Sequence, residues 1–143
     1  MRSMAASITI QRRVEWTDTD AAGHQHFTAI LRWAEQAELL LHERLGISDV
    51  TLGRCPRVRV EAEYLKRLWP QAVVDVEIAV KRVGRSSVVY DFAVRHDGED
   101  AARGVMTAVH VEGGAGSSPW PDHARHALML SGRVDGERFA LDP

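Results

Sequence analysis

The sequence predicts an α+β fold in which one long central helix is wrapped by a curved antiparallel sheet of about five strands. Three observations lead to this prediction: an alternating segment near the amino end, one long amphipathic segment, and four further alternating segments joined by short turns. The chain has 143 residues, 45% of them apolar, which is enough to bury one core. We therefore interpret residues 1–143 as a single domain.

The first strand is predicted over residues 8–16. Ile8, Ile10, Val14 and Trp16 alternate with polar residues, a period of two that is typical of a half-buried strand, and Arg12 interrupts the pattern. Residues 17–23 are then predicted to form a loop, because their Asp and Thr side chains favour hydrogen bonds to the local backbone.

The central helix is predicted over residues 28–45, with Thr28 as its N-cap and Gly46 just after its end. Its apolar residues fall three or four apart, while charged residues occupy the other face. These apolar residues are Ile30, Trp33, Ala34, Ala37, Leu40, Leu41 and Leu45. An apolar stripe of this length needs a sheet to cover it.

The remaining strands are predicted over residues 57–68, 72–83, 86–96 and 101–111. The connections between them are short and contain Gly or Pro, so consecutive strands are expected to form antiparallel hairpins. A loop rich in Gly, Ser and Pro follows at 112–121, and a short helix is expected at 123–130 with Asp122 as its N-cap. The tail after Gly132 is expected to be loosely held.

Composition excludes several functional classes. Eighteen basic and 20 acidic residues give a net charge of −2, which provides no global attraction to nucleic acid or to an anionic membrane. No segment approaches the ~20 apolar residues of a membrane span or reads as a signal peptide. The single cysteine, Cys55, cannot form an internal disulfide. We expect a cytoplasmic protein.

The segment between the first strand and the central helix is the most informative one. It reads Asp18-Thr19-Asp20-Ala21-Ala22-Gly23-His24-Gln25-His26-Phe27-Thr28, with Arg32-Trp33 one turn further on. It resembles the signature of the hotdog-fold thioesterases related to 4-hydroxybenzoyl-CoA thioesterase, in which an Asp-x-x-Gly turn leads into the central helix. The resemblance extends through Tyr64…Pro70, Gly84-Arg85-Ser86-Ser87 and Ala102-Arg103-Gly104, and so covers roughly residues 8–121.

The resemblance implies hydrolysis of an acyl-CoA thioester at the start of the helix. Asp20 would be the catalytic carboxylate, Gly23 would form the turn, and the backbone amide of Phe27 would polarise the thioester carbonyl. Asp20 could attack the carbonyl to form a mixed anhydride or deprotonate a water, and the sequence leaves both routes open. His24 and His26 could orient the water or the leaving thiolate.

The resemblance also suggests where the substrate binds. The CoA moiety would meet the hairpin residues Arg82, Arg85, Ser86 and Ser87, together with Lys66 and Arg67 on a neighbouring strand end. Helix residues, including Trp33, would line the acyl pocket. The site of such proteins lies between protomers, so we expect a homodimer or homotetramer, acting without a metal or organic cofactor.

Four alternatives stay open at this stage. His24-x-His26 has the spacing of some metal sites and lies near Asp18 and Asp20, although a loop-forming or capping role is favoured for Asp18. The acyl group could be carried by acyl carrier protein instead of CoA, or the protein could bind acyl-CoA without catalysis. A hydratase or dehydratase of the same fold is a further possibility. No Gly-x-Ser-x-Gly or other nucleophile motif is present in the sequence.

Overall fold

The computed structural model describes residues 4–114 and 116–138. In chain order its elements are β1 (Ser7–Arg13), a short 3₁₀ turn (Trp16–Asp18), α1 (Phe27–Arg44), α2 (Ser48–Thr51), β2 (Arg57–Tyr64), β3 (Val73–Val83), β4 (Ser87–His96), β5 (Glu99–Val109) and α3 (Asp122–Leu130).

The five strands form one antiparallel sheet in the order β1-β3-β4-β5-β2. The predicted α+β class is confirmed, with α1 packed on one face of the sheet. Strands β3, β4 and β5 follow one another as hairpins because short turns connect them. The predicted hairpin between β2 and β3 was wrong, because β2 pairs with β5 and β3 pairs with β1. β1 and β2 flank the helix in the chain and lie at opposite edges of the sheet.

The core lies between α1 and the sheet. In a strand whose apolar and polar residues alternate, every second side chain points into this core. Its largest fully buried members are Tyr90, Ile8, Ile10, Ile30, Leu41, Ile47, Leu68, Ile78, Met106 and Leu128. Arg12 breaks the alternation in β1 because its guanidinium Nε donates to Gln36 Oε1 on α1, at 2.7 Å. A charged residue is tolerated there because its hydrogen bonds are made.

Several predicted boundaries were wrong by a few residues. α1 begins at Phe27 and its N-cap is His26, whose Nδ1 accepts from the Thr28 amide at 3.2 Å, so Thr28 is not the cap. β1 ends at Arg13 because the Asp18 carboxylate accepts from the Glu15 amide and closes the 3₁₀ turn. α2 was not predicted at all.

β2 ends at Tyr64, four residues before the predicted end. The Leu65 and Lys66 amides both donate to Ala101 O, at 2.8 and 3.1 Å, which bends the chain out of the ladder. The last hairpin turns through Asp97 and Gly98 alone, both with positive φ, so β5 starts at Glu99. α3 starts one residue earlier than predicted, with Pro121 in the cap position.

The C-terminal tail is held along the outer edge of β1, contrary to the expectation that it would be loose. Ser7 N donates to Gly132 O at 3.0 Å, Val134 N to Ser7 O at 2.9 Å, and Gln11 N to Glu137 O at 2.8 Å. Gly136 is required at this crossing, since a Cβ there would lie 1.7 Å from Thr9 O. The tail therefore occupies backbone hydrogen-bonding groups of Ser7 and Gln11 at this sheet edge.

Within the described ranges, no helix is long and apolar enough to cross a membrane.

Candidate active site

Asp20 lies in a tight turn that its own backbone and side chain organise. Its amide donates to His24 O at 3.0 Å, and Gly23 N donates to Asp20 O at 2.9 Å. Gly23 has a φ of 88°, a conformation that favours glycine. Asp20 Oδ1 accepts from the Ala22 amide at 2.8 Å. In the part of the chain that the structure describes, Oδ2 has no hydrogen-bond partner, so this oxygen is available to a substrate or water.

Asp18 connects this loop to the first turns of α1. It is 6% exposed, its Oδ2 accepts from Glu15 N at 2.8 Å, and its Oδ1 pairs with the Arg32 guanidinium. Its backbone carbonyl also accepts from His26 N at 2.6 Å. Asp18 is thus fully engaged in holding the loop against the helix, which agrees with a structural rather than a catalytic role.

The amide of Phe27 is available at the start of α1. As the first residue of the helix, Phe27 has no intrahelical acceptor for its N–H, and no other acceptor lies within hydrogen-bond distance among the described residues. Helix dipoles place partial positive charge at this end. A developing negative charge on a bound oxygen would therefore be stabilised here.

Asp20 and Phe27 line the same cavity, of about 340 Å³, at the N-terminal end of α1. The other lining residues come from the loop before α1 and from the end of β2: His24, Gln25, Tyr64, Leu65, Lys66 and Arg67. Tyr64 Oη donates to Phe27 O at 2.6 Å, which fixes the first peptide of the helix against β2. The cavity thus combines a carboxylate, a helix N-terminus and two basic side chains.

Gln25 ties the two halves of this cavity together, and sequence reasoning missed it. Its buried side chain donates to Lys66 O at 3.3 Å and accepts from Leu68 N at 2.5 Å, while its own amide donates to Leu68 O at 2.8 Å. Tyr64 and Leu65 were also missed as lining residues. The roles of Gln25 and Tyr64 appear only in the folded structure, because the residues that they contact are about 40 positions away in the sequence.

The two histidines of the loop have different surroundings. His24 lines the cavity, with its Nδ1 3.2 Å from Gln25 O and its ring edge-on to Trp69. His26 is the helix cap, and its ring stacks on Phe27. Across residues 4–114 and 116–138, no cluster of three or more His, Cys, Asp or Glu side chains is arranged to hold a metal ion.

The predicted substrate-binding residues do not all meet at this cavity. Lys66 and Arg67 line it, and Lys66 also pairs with Glu99. Arg82, Arg85, Ser86 and Ser87 lie at the other end of the sheet: Ser87 is level with Val109 on β5, whereas Tyr64 is level with Ala102. Seven residues of strand separate these levels, roughly 23 Å.

Trp33, which the resemblance placed at the acyl pocket, also lies away from this cavity. It is 2% exposed and belongs to the core, so within one protomer it is not part of the cavity. Its position on the sheet-facing side of α1, in the same stripe as Ile30 and Ala37, accounts for this burial.

A second cavity, of about 590 Å³, lies beside the C-terminal half of α1 and is lined in part by Glu38, His42, Thr51, Cys55 and Arg57. Glu38 is 3% exposed; its Oε1 pairs with Arg57, and its Oε2 is buried without a partner. Burial raises the pKa of Glu38, although Arg57 opposes the shift. A larger cavity, of about 840 Å³, lies under the C-terminal tail and does not include Asp20.

His42 and Tyr90 extend this buried polar cluster into the core. His42 Nε2 and Tyr90 Oη are 2.7 Å apart. Burial, with a smaller contribution from Arg57, lowers the pKa of His42 to about 4. Burial also raises the pKa of Tyr90 well above its ordinary value and that of the Cys55 thiol to about 12. Imidazole, phenol and thiol are therefore all uncharged at neutral pH.

Comparison with known proteins places this arrangement in context. The sequence model of a family described as "Thioesterase-like superfamily" matches residues 14–128. A 1,4-dihydroxy-2-naphthoyl-CoA hydrolase of Prochlorococcus marinus (strain NATL2A) is 27% identical over 107 residues, covering 64% of this chain and 67% of that protein.

Solved structures agree in fold. A thioesterase complexed with coenzyme A and Zn from Thermus thermophilus is 26% identical with a TM-score of 0.78, covering 88% of this chain and 92% of that one. A 1,4-dihydroxy-2-naphthoyl-CoA thioesterase from Synechocystis is 17% identical with a TM-score of 0.78, covering 85% of this chain and 95% of that one.

Proposed function

The chain belongs to the thioesterase-like superfamily and has its hotdog fold, and on that premise we propose that it hydrolyses an acyl-CoA thioester to a free carboxylic acid and CoA. One observation carries the proposal: the Asp20 carboxylate and the unpartnered Phe27 amide line one cavity at the N-terminus of α1. Hydrolysis of a thioester needs both a group that attacks or activates water and a donor for the carbonyl oxygen.

In the proposed reaction, the thioester carbonyl oxygen accepts a hydrogen bond from Phe27 N–H and gains negative charge as the carbonyl carbon is attacked. By one route Asp20 removes a proton from water, the resulting hydroxide adds to the carbon, and the CoA thiolate leaves and takes up the proton. By the other route Asp20 adds directly, the thiolate leaves, and water hydrolyses the acyl–Asp20 anhydride. Rapid-quench mass spectrometry distinguishes them, because only the second route attaches the acyl group to the enzyme.

The remaining residues of the cavity have supporting roles in this proposal. Tyr64 holds the carbonyl of Phe27, and Gln25 holds the segment that carries Lys66 and Arg67. His24 lines the cavity and is within reach of a bound water or the leaving thiolate. Lys66 and Arg67 supply positive charge for the phosphates of CoA.

The active unit is proposed to contain at least two protomers. Arg82 and Arg85 are exposed, and among the described residues neither has an acidic partner, which suits phosphate binding. They lie at the end of the sheet opposite to Asp20. A second protomer running antiparallel to the first would bring its own β3–β4 hairpin towards this cavity.

The acyl group is proposed to be aromatic and hydroxylated. The named relatives act on a hydroxylated naphthoyl group, so a dihydroxynaphthoyl-CoA belongs in the substrate panel beside short, long and benzoyl esters. Turnover of one acyl group on CoA and on acyl carrier protein separates the two carriers.

The substitution Asp20→Asn tests the assignment. Asparagine keeps an oxygen for the Ala22 amide, so the turn is retained while the reactive carboxylate is lost. We expect kcat to fall by about 100-fold or more, followed as free thiol release, with fold and oligomer unchanged. Asp122→Asn, at an exposed position in the first turn of α3, is the matched control and should keep full activity.

Three other outcomes would be informative. Equal turnover by wild type and Asp20→Asn would remove Asp20 from the mechanism and make His24 the next target. Recovery of intact acyl-CoA after prolonged incubation with a wild type that binds it would replace hydrolysis by acyl-CoA binding. Failure of wild type both to bind and to turn over the panel would contradict the proposed substrate class.

A further inference from the structure

The turn between β3 and β4, residues 84–87, is held by residues that lie far from it in the sequence. Each of its four backbone carbonyls accepts a hydrogen bond from His110, Trp120 or Arg125, all of which follow β5 in the chain. The four bonds are Arg125 Nη1 to Gly84 O at 2.6 Å, Trp120 N to Arg85 O at 3.0 Å, His110 N to Ser86 O at 2.7 Å and Trp120 Nε1 to Ser87 O at 3.0 Å. The acceptors of the turn are therefore all used within the protomer.

The donors of the same turn remain available to a ligand. Gly84 N donates to Ser87 O at 2.8 Å, whereas the amides of Arg85 and Ser86 meet no acceptor within the described part of the chain. Arg82 and Arg85 are exposed. Backbone amides and guanidinium groups that lack acceptors attract anions, and phosphate can accept from both kinds of donor. The turn thus offers donors to a ligand, while its carbonyls serve to hold it in place.

Trp120 connects two residues of the turn through two hydrogen bonds from one buried side chain and its backbone. It is 5% exposed, and its ring stacks on that of the fully buried His110, with the ring centroids 4.9 Å apart. His110 is in turn fixed by Ser118, whose amide donates to His110 O at 2.8 Å and whose carbonyl oxygen lies 3.1 Å from His110 Nδ1. A shift of the turn would break hydrogen bonds of a buried residue, which is costly.

Arg125 holds the first residue of the turn from α3. Its guanidinium donates to Gly84 O, and a charged donor makes a stronger hydrogen bond to a carbonyl than a neutral donor does. The pairing of β3 with β4 is irregular just before the turn, because the register shifts between Val80 and Arg82. The conformation of the turn therefore depends on donors outside the two strands as well as on the strand pairing itself.

We propose that Trp120 and Arg125 are positioning residues, which hold the β3–β4 turn in the conformation that binds the phosphates of CoA. This inference rests on the proposed function, since it takes the turn to be the element that meets the phosphates. The two residues act through carbonyls of the turn and need not touch the substrate. Asp20 lies at the opposite end of the sheet, so loss of either residue should affect substrate binding rather than the chemical step.

Two substitutions test the two residues independently. Arg125→Met removes the donor to Gly84 O, and Trp120→Phe removes the indole donor to Ser87 O while an aromatic ring stays beside His110. Each should raise the KM for acyl-CoA and the Kd for CoA by about 10-fold, the order expected for one lost hydrogen bond, with little change in kcat. Arg125→Lys, whose ammonium group can still donate to a carbonyl, should recover most of the affinity.

A truncated substrate separates positioning from general damage to the protein. An acyl-N-acetylcysteamine thioester keeps the bond that is hydrolysed but has no phosphates for the turn to bind. In both variants kcat/KM should therefore fall about 10-fold more for acyl-CoA than for the truncated thioester. Arg44→Met is the matched control, because the Arg44 guanidinium also donates to a backbone carbonyl, Asp135 O at 3.3 Å, but on the C-terminal tail. It should give wild-type values with both substrates.

The possible outcomes distinguish this inference from the proposed function. Equal losses on the two thioesters, or unchanged CoA binding in both variants, would overturn the positioning role and leave hydrolysis standing. If wild type binds CoA but hydrolyses neither thioester, the proposed function fails, and the Kd for CoA in the two variants still decides whether they position the turn. A wild type that does not bind CoA would overturn the inference together with the proposed substrate class.

Discussion

At the scale of single residues, Glu38, His42 and Tyr90 form a buried polar cluster at the C-terminal half of α1. Each member has a partner: Arg57 for Glu38, and each other for His42 and Tyr90. Glu38 Oε2 is the exception, since it is buried without one. Buried polar groups of this kind make stability depend on pH through their shifted pKa values.

Replacement of His42 should change how the free energy of unfolding depends on pH under acidic conditions. Its folded pKa is about 4, against 6.5 for the free group, so below pH 6.5 the unfolded chain binds a proton that the folded chain refuses. The free energy of unfolding therefore falls as pH drops from about 6.5 to 4, by about 3 kcal/mol in total. His42→Gln should remove this part of the slope, measured by urea unfolding at several pH values.

Glu38 acts in the opposite direction, because its raised pKa lets the folded chain hold a proton that the unfolded chain has lost. It is present in both proteins, so the difference between wild type and His42→Gln isolates the histidine. His123→Gln, at an exposed position on α3, serves as the control. If the free energy of unfolding depends on pH in the same way for wild type and His42→Gln, the slope does not come from His42.

At the scale of elements, Gly104 shows how closely β2, β4 and β5 approach. A Cβ at this position would lie 2.0 Å from Glu61 O and 2.5 Å from the Phe92 ring. The strand backbone cannot retreat without breaking ladder hydrogen bonds, so Gly104→Ala should destabilise the fold by about 2 kcal/mol. In Gly84→Ala the new Cβ meets only the Ser87 hydroxyl, which can rotate away, so the loss in thermal unfolding should be smaller.

Elements were predictable from the sequence to the extent that their signals are local. The period of α1 and the alternation of β3 reflect one buried face each, and both elements were predicted close to their observed bounds. β4 was also predicted close to its bounds, although Val89 and Ala93 on its second face are buried as well. The end of β2 was not predicted, because it depends on hydrogen bonds to Ala101. The His26 cap was not predicted either, because it depends on the position of one imidazole ring.

The same distinction holds for the candidate site. Asp20, Gly23 and Phe27 lie in one continuous segment, whose order of residues suggested them. Gln25 and Tyr64 act through contacts between segments about 40 residues apart, which no local pattern encodes. The hairpin arginines were grouped with Asp20 by resemblance, yet one protomer separates them by the length of a strand.

At the scale of the whole molecule, the tail along β1 should limit association. Gly136→Val would push the tail off Thr9, since even a Cβ comes within 1.7 Å of the Thr9 carbonyl. Light scattering should then detect assemblies larger than the wild-type particle, growing with protein concentration. Arg138→Ala is the control, because Arg138 is exposed near the end of the described tail. Gly132→Ala is unsuitable as a control, because Gly132 has a positive φ.

The covered β1 edge limits how strands from other copies can add to the sheet. At this outer edge the chain's own tail already holds backbone groups of Ser7 and Gln11, so a strand from another copy would find them occupied. Pairing of a foreign strand with β1 would require the tail to dissociate first. Release of the tail, and not the concentration of the protein alone, therefore decides whether the sheet can be extended at this edge.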